Sequence, residues 1–242
     1  MKIIILGATS GLGRGTAELF AQAGHQVGIA GRRVTRLQES VEKYPNQMIY
    51  SEMDVNDPNL ESKISEMIEK LGGLDLFLYS SGVGKENYDL DYDIENWTNN
   101  VNINGFIKSI CYICNYFNVQ GSGHLAVISS IAGFRGIGGS SSYSASKAYQ
   151  RIYFEAISQG AKSKNKNLTF STIIPGFVDT EIIAGRNYPL TLSCDKACRI
   201  IYNGLIHKKR HIYVDGKWRF IALLMRIIPN SIWERMINRD KR

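Results

Sequence analysis

Tyr143 and Lys147 stand four residues apart in Tyr143-Ser144-Ala145-Ser146-Lys147, and Ser130 precedes the tyrosine by thirteen positions. On a helix that spacing puts phenol and ammonium on one face. A phenol alone is a poor acid or base near neutrality, because its reference pKa is about 10. A neighbouring ammonium favours the phenolate and brings that value toward the working range. The pair is therefore suited to moving a proton at a substrate oxygen. The serine-rich residues 139–146 fit a loop that enters a helix.

A second constellation lies at the amino end. Lys2-Ile3-Ile4-Ile5-Leu6 reads as a buried strand, followed by Gly7-Ala8-Thr9-Ser10-Gly11-Leu12-Gly13 and then a helix-compatible stretch with Ala17, Leu19, Phe20 and Ala23. Glycines at a strand-to-helix turn let the backbone approach a phosphate that faces the helix N-terminus. The next strand ends in Gly31-Arg32-Arg33, with glycine where an acid would bind a ribose diol. Two guanidinium groups there can fork onto a 2′-phosphate, which points to NADP(H) as cofactor.

The elements that must hold these residues alternate. Apolar, β-branched runs fall at 2–6, 26–30, 47–50, 74–79, 124–129 and 168–174, with amphipathic stretches between them, as at Leu60, Ile64, Met67, Ile68 and Leu71. Such runs are expected of strands buried on both faces. The pattern predicts an α/β fold: a doubly wound parallel sheet of Rossmann type with helices on both faces. Residues 1–206 are expected to form one catalytic domain, with 207–242 as a basic, amphipathic extension packed on or beside it. Ligands in such sheets bind beyond the carboxyl ends of the strands, where the loops near 7, 31, 54, 80, 130 and 175 begin.

These residues, with Asp54-Val55, Asn102 and Pro175-Gly176, resemble the short-chain dehydrogenase/reductase family in order and spacing over about residues 1–185. The resemblance implies that Tyr143 protonates a carbonyl oxygen or takes a hydroxyl proton, and that Ser130 hydrogen-bonds that oxygen. It implies that Lys147 binds the nicotinamide ribose and that Asn102 holds a water linking Lys147 to solvent. Asp54 and Val55 would face the adenine, Val178 and Thr180 the carboxamide and phosphate, and Pro175 and Gly176 would shape the turn beside the nicotinamide. Ser81 and Gly82 would border the cofactor. Two departures stand out: Leu6-Gly7 where the family has Thr-Gly, and Tyr79-Ser80-Ser81-Gly82 where it has Asn-Asn-Ala-Gly.

Composition bounds the remaining alternatives. The 242 residues are 44% hydrophobic and 21% charged, ordinary for a globular chain. The opening apolar run is too short for a signal peptide, so a cytoplasmic protein is expected. Cys111-x-x-Cys114 falls in the apolar run 106–117 and reads as structural rather than as a zinc or redox motif, as does Cys194-x-x-x-Cys198; no metal is expected. The net charge of +7 belongs wholly to residues 207–242, which hold ten Lys or Arg against three acids. Residues 218–228 predict a helix stopped by Pro229, and a second short helix from Ser231 puts Ile232, Trp233, Met236 and Ile237 on one side. Such a tail could lie on the inner face of a membrane through 218–242, cover the substrate mouth or contact another subunit. It carries no nucleic-acid-binding motif.

The function expected is NADP(H)-dependent hydride transfer between a small-molecule carbonyl and alcohol, in a homodimer or homotetramer by resemblance. Aromatic and aliphatic residues in 182–192 and in the tail favour an apolar or lipid-like ketone. The alternative is a regulatory protein that binds NADP(H) without turnover; it has no need of Asn102, Ser130, Tyr143 and Lys147 together.

Overall fold

The computed structural model describes residues 1–164, 166–183, 188 and 190–236. Seven parallel strands form the sheet: β1 (Lys2–Leu6), β2 (Gln26–Gly31), β3 (Met48–Glu52), β4 (Leu76–Tyr79), β5 (Ser122–Ile128), β6 (Asn167–Pro175) and β7 (His211–Val214). Their order across the sheet is β3-β2-β1-β4-β5-β6-β7. The chain winds one way from β1 to β3, then returns past β1 and winds the other way. The crevice between β1 and β4 is therefore the topological switch point.

Strand alternation divides the core into two layers. Ile3 and Ile5 of β1 face one side, where they join Ala17 and Phe20 of α1 (Gly11–Gln22) and Leu37 of α2 (Val34–Lys43). Ile4 and Leu6 face the other, with Ile64 and Met67 of α3 (Leu60–Leu71). Beyond α4 (Tyr92–Asn99), α5 (Gly105–Gln120) adds Phe106, Ile110, Ile113 and Phe117 to that second layer, and α6 (Ser141–Ser163) adds Phe154. On the first layer α7 (Cys194–Ile206) supplies Ala197, Ile201 and Leu205.

Two sequence expectations change. Residues 211–214 belong to the sheet as β7, pairing with β6 from Thr172↔His211 to Pro175↔Val214. The boundary expected at 206/207 thus cuts through the α/β unit: β7 is short and half polar, and its apolar signal is weak. The extension starts only with α8 (Lys217–Ile227), followed by α9 (Asn230–Trp233) and a 3₁₀ turn at Glu234–Met236. Ile237 and the basic residues after it lie outside the described residues. Cys111 is exposed on α5 against the Tyr153 hydroxyl, at 3.3 Å, rather than buried in it. Among the described residues no helix is long and apolar enough to cross a membrane.

The tail makes its own small core. Trp218, Ala222 and Met225 of α8 bury against Ile131, with Phe134, Phe177, Ile221 and Trp233 around them. Arg135 clamps the far end, donating to the carbonyls of Met225 (3.3 Å) and Ile228 (2.9 Å) and to Asn230 Oδ1 (2.8 Å).

Candidate active site

Helix α6 carries Tyr143 and Lys147 in its first two turns, and its start is fixed by a carboxylate. Glu95 of α4 accepts from the Ser142 backbone N–H at 2.9 Å and also from the Ser142 hydroxyl. Negative charge at a helix N-terminus is favourable there. Asn87 holds the other Glu95 oxygen at 2.7 Å. Nothing in the sequence marked Glu95, because its partner lies 47 residues away. Gly133 lets the turn after β5 close on this helix: a Cβ there would come within 2.7 Å of the Lys147 carbonyl carbon.

That turn, Ile131–Phe134, begins at Ser130, whose hydroxyl oxygen accepts from the Ala132 N–H at 3.1 Å. Burial pushes the Tyr143 phenol up from its ordinary value, and the neighbouring Ser130 hydroxyl pulls it partly back. The downward pull expected from Lys147 does not prevail: the ammonium nitrogen is 5.8 Å from the ring centre and burial dominates. Lys147 is itself buried and its pKa is lowered by desolvation to about 7. It donates to the Ile128 carbonyl and to Gln150 Oε1, each at 3.0 Å.

Asn102 sits in a π-helical turn, Asn100–Asn104, between α4 and α5. Its side chain bridges back to the loop after β4, donating to the Val83 carbonyl (2.8 Å) and accepting from the Val83 N–H (2.9 Å). Its main-chain carbonyl accepts from Gln150 Nε2 at 2.8 Å. Gln150, whose Oε1 accepts from Lys147 Nζ, thereby joins Asn102 to Lys147 and is a site residue that the sequence alone did not mark.

Ser130, Tyr143 and Lys147 line one wall of a cleft of about 880 Å³ whose other end is the glycine turn. Gly7 and Gly11 have φ of 97° and 54°, the left-handed region that favours glycine. A Cβ on Gly7 would lie 2.4 Å from the Ser81 backbone nitrogen, and one on Gly13 would lie 2.2 Å from the Gly7 carbonyl oxygen. The turn after β4 therefore packs directly on the glycine turn despite both departures from the family pattern. Ser80 Oγ fills the remaining space beside Gly13, and its N–H reaches the Leu6 carbonyl at 2.8 Å. Gly82 comes beside Lys147, 3.1 Å from Nζ at its Cβ position. The cradle, with the α1 N-terminus behind it, fits the pyrophosphate of a dinucleotide.

At the adenosine end the two arginines separate. Arg32 stays half exposed at the lip, 3.8 Å from Asp54, and Val55 is buried below. Arg33 turns inward and donates to Thr9 Oγ1 (2.8 Å) and Ser10 Oγ (2.7 Å) and pairs with Glu181 (2.6 Å). Both guanidiniums border this end of the cleft, Arg33 tied to Glu181 and Arg32 beside Asp54. Hydrogen bonds from Arg36 and Arg33 hold the Glu181 carboxyl down at about 2. At the nicotinamide end, Pro175 closes β6 and Gly176 lies under Trp218. Val178 bridges to Leu192, and Thr180 packs beside Gly11 while its hydroxyl donates to the Val178 carbonyl at 3.2 Å. Every residue proposed from sequence for the cofactor lines this cleft. Asn102 stands behind it, tied to the Val83 backbone.

The short chain dehydrogenase family model matches residues 1–189. The chain is 28% identical to an uncharacterized oxidoreductase of Myxococcus xanthus, covering 98% of this chain and 96% of that one. It is 32% identical over 194 residues to an uncharacterized oxidoreductase of Mycobacterium tuberculosis, covering 76% and 75%. Among solved structures, a short chain dehydrogenase/reductase from Burkholderia phymatum in complex with NAD shares the fold with a TM-score of 0.83, at 18% identity over 98% of this chain and 95% of that one. The closed form of serine dehydrogenase complexed with NADP+ gives a TM-score of 0.73 at 21% identity, over 84% and 88%. With the cradle, the serine–tyrosine pair and the buried lysine on one cleft, the chain belongs to the short chain dehydrogenase family of oxidoreductases, built on a nicotinamide-cofactor-binding fold.

Proposed function

We propose that the chain is an NADPH-preferring oxidoreductase that reduces an apolar, lipid-like ketone to its alcohol. The observation that carries this reading is that Ser130, Tyr143 and Lys147 line one cleft together with the glycine cradle, with the Lys147 ammonium 5.8 Å from the Tyr143 ring centre. A bound nicotinamide supplies the hydride. The chain's own residues manage the oxygen. Ser130 and Tyr143 hold it by hydrogen bonds, and the Tyr143 hydroxyl gives up its proton as charge develops there. Burial keeps the phenol protonated at neutral pH, which suits an acid in reduction. The Lys147 ammonium offsets the negative charge left on Tyr143.

Preference for NADPH rests on Gly31 and Arg32. A Cβ at Gly31 would lie 2.5 Å from Thr9 Cγ2, so an acidic side chain has no room at the position that would bind a ribose diol. The apolar substrate rests on the far end of the cleft, lined by Tyr88, Trp97, Ile137, Phe177, Tyr188 and Trp233. Incubating the purified chain with NADPH and a panel of ketones tests the reading. NADPH oxidation with the apolar members supports it. Tight NADPH binding without turnover of any carbonyl favours the regulatory alternative.

The tail extends this proposal to location and assembly. α8 turns Trp218, Ala222 and Met225 inward onto Ile131, Phe134 and Phe177, while Phe220, Leu223, Leu224 and Ile227 stay exposed beside Lys217 and Arg219. We take this outer face as the surface that meets an anionic membrane at the mouth of the cleft, so that a lipid-like substrate enters from the bilayer. Assembly as a dimer or tetramer is part of the same reading.

A further inference from the structure

Gln150 lies three residues past Lys147 on α6 and is fully buried. Its amide spans two groups of the site: Oε1 accepts from Lys147 Nζ at 3.0 Å, and Nε2 donates to the Asn102 carbonyl at 2.8 Å. The Asn102 carbonyl meets this side-chain donor where the helix widens into its π turn. An amide differs from a water in one decisive respect: its donor and acceptor ends do not interchange. With the nitrogen committed to Asn102, the oxygen must face Lys147.

Lys147 has three N–H donors. The Ile128 carbonyl takes one and Gln150 takes another. The third is left for the cleft that Lys147 lines. No carboxylate is paired with the ammonium among the described residues; burial alone acts on it. The titratable group nearest on its own helix is Tyr143. The elements packed against it contribute neutral groups: the Ile128 carbonyl and Ser130 from β5 and its turn, Gly82 after β4, and Asn102 from the π turn. A charged donor makes a stronger hydrogen bond than a neutral one, so a fixed acceptor favours ammonium over amine.

We propose that Gln150 is a positioning residue of the proton-transfer machinery, fixing Lys147 with one N–H toward the cleft and extending to higher pH the range in which Lys147 stays charged. This rests on the oxidoreductase reading above. The test compares intact protein with Gln150→Met, which keeps the length and removes both bonds, and Gln150→Glu, which puts a carboxylate beside the ammonium. The readouts are the pH profile of kcat/KM for ketone reduction and the pH dependence of NADPH affinity by fluorescence. Loss of the ammonium removes activity as pH rises, giving an alkaline limb. Gln150→Met should move that limb down by about one pH unit, and Gln150→Glu should move it up by a similar amount.

Opposite displacements support the proposal, since a merely structural defect lowers rates in both variants without moving the limbs apart. If Gln150→Met does not fold, the upward shift in Gln150→Glu decides alone. Unchanged limbs in variants that still bind NADPH overturn the role of Gln150 and leave the oxidoreductase reading intact. If the intact protein binds NADPH but reduces no ketone, only that reading fails, and the affinity limbs still decide on Gln150. If it binds no NADPH at all, both fail.

Discussion

Trp218 of the tail lies directly over Gly176 of the turn after β6: a Cβ on the glycine would come within 1.8 Å of the indole. The tail is thus seated on the residue that follows Pro175, which itself lines the cleft, and the glycine serves a tail contact as well as a turn. Gly176→Ala should displace Trp218 and lower unfolding free energy by about 1–3 kcal/mol, as overpacking does. Urea unfolding followed by tryptophan fluorescence measures this. The KM for an apolar ketone should rise in parallel, because Trp218 packs on Phe177, which lines the substrate end. An alanine variant with unchanged stability would show that the tail is not seated on this glycine.

Arg32→Asp should weaken NADPH binding at least about tenfold while leaving NADH binding nearly unchanged, because one charge-assisted contact to a phosphate is removed. Dissociation constants for both cofactors measure it. Equal constants in the intact protein would remove Arg32 from the account.

Much of this was legible from sequence because the informative residues lie in local patterns. The glycine turn, Tyr143-x-x-x-Lys147 and the strand runs each declare themselves within a few residues. What was not legible depends on distant partners. Glu95 reaches Ser142 from another helix, Gln150 finds Asn102 only across the π turn, and Arg33 turns away to Glu181, 148 residues on. β7 escaped because four residues with exposed His211 at one end give little apolar signal. The Tyr143 environment was misjudged for the same reason: charge proximity is readable from spacing, but burial is not.

Lys147 should leave a mark on stability. Its folded-state value of about 7 lies below the ordinary 10.5, so between these values the unfolded chain binds more protons and folding becomes more favourable as pH rises. Below pH 7 the desolvation penalty is fully present. Lys147→Met removes this slope. Between pH 6 and pH 9 the intact protein should gain roughly 3 kcal/mol that the variant does not, read as a difference of differences in urea unfolding. Identical pH slopes would mean that Lys147 is solvated in the folded state.

The outer face of α8 is tested by co-sedimentation with anionic vesicles. The intact chain should pellet with them at low salt and be released as salt rises. Leu223→Glu with Ile227→Glu, two exposed positions outside the cleft, should abolish pelleting while NADPH affinity is retained. If the intact chain stays in the supernatant and elutes as a dimer that these substitutions dissociate, the face is a subunit contact.

The central claim is that the Tyr143 hydroxyl delivers the proton, and one comparison tests it most directly. With a ketone turned over by the intact protein, kcat and the NADPH dissociation constant are measured for Tyr143→Phe. kcat should fall by at least about a hundredfold, the usual scale for loss of a positioned acid, with NADPH affinity within about twofold of the intact value. Near-normal kcat in Tyr143→Phe would contradict the account outright.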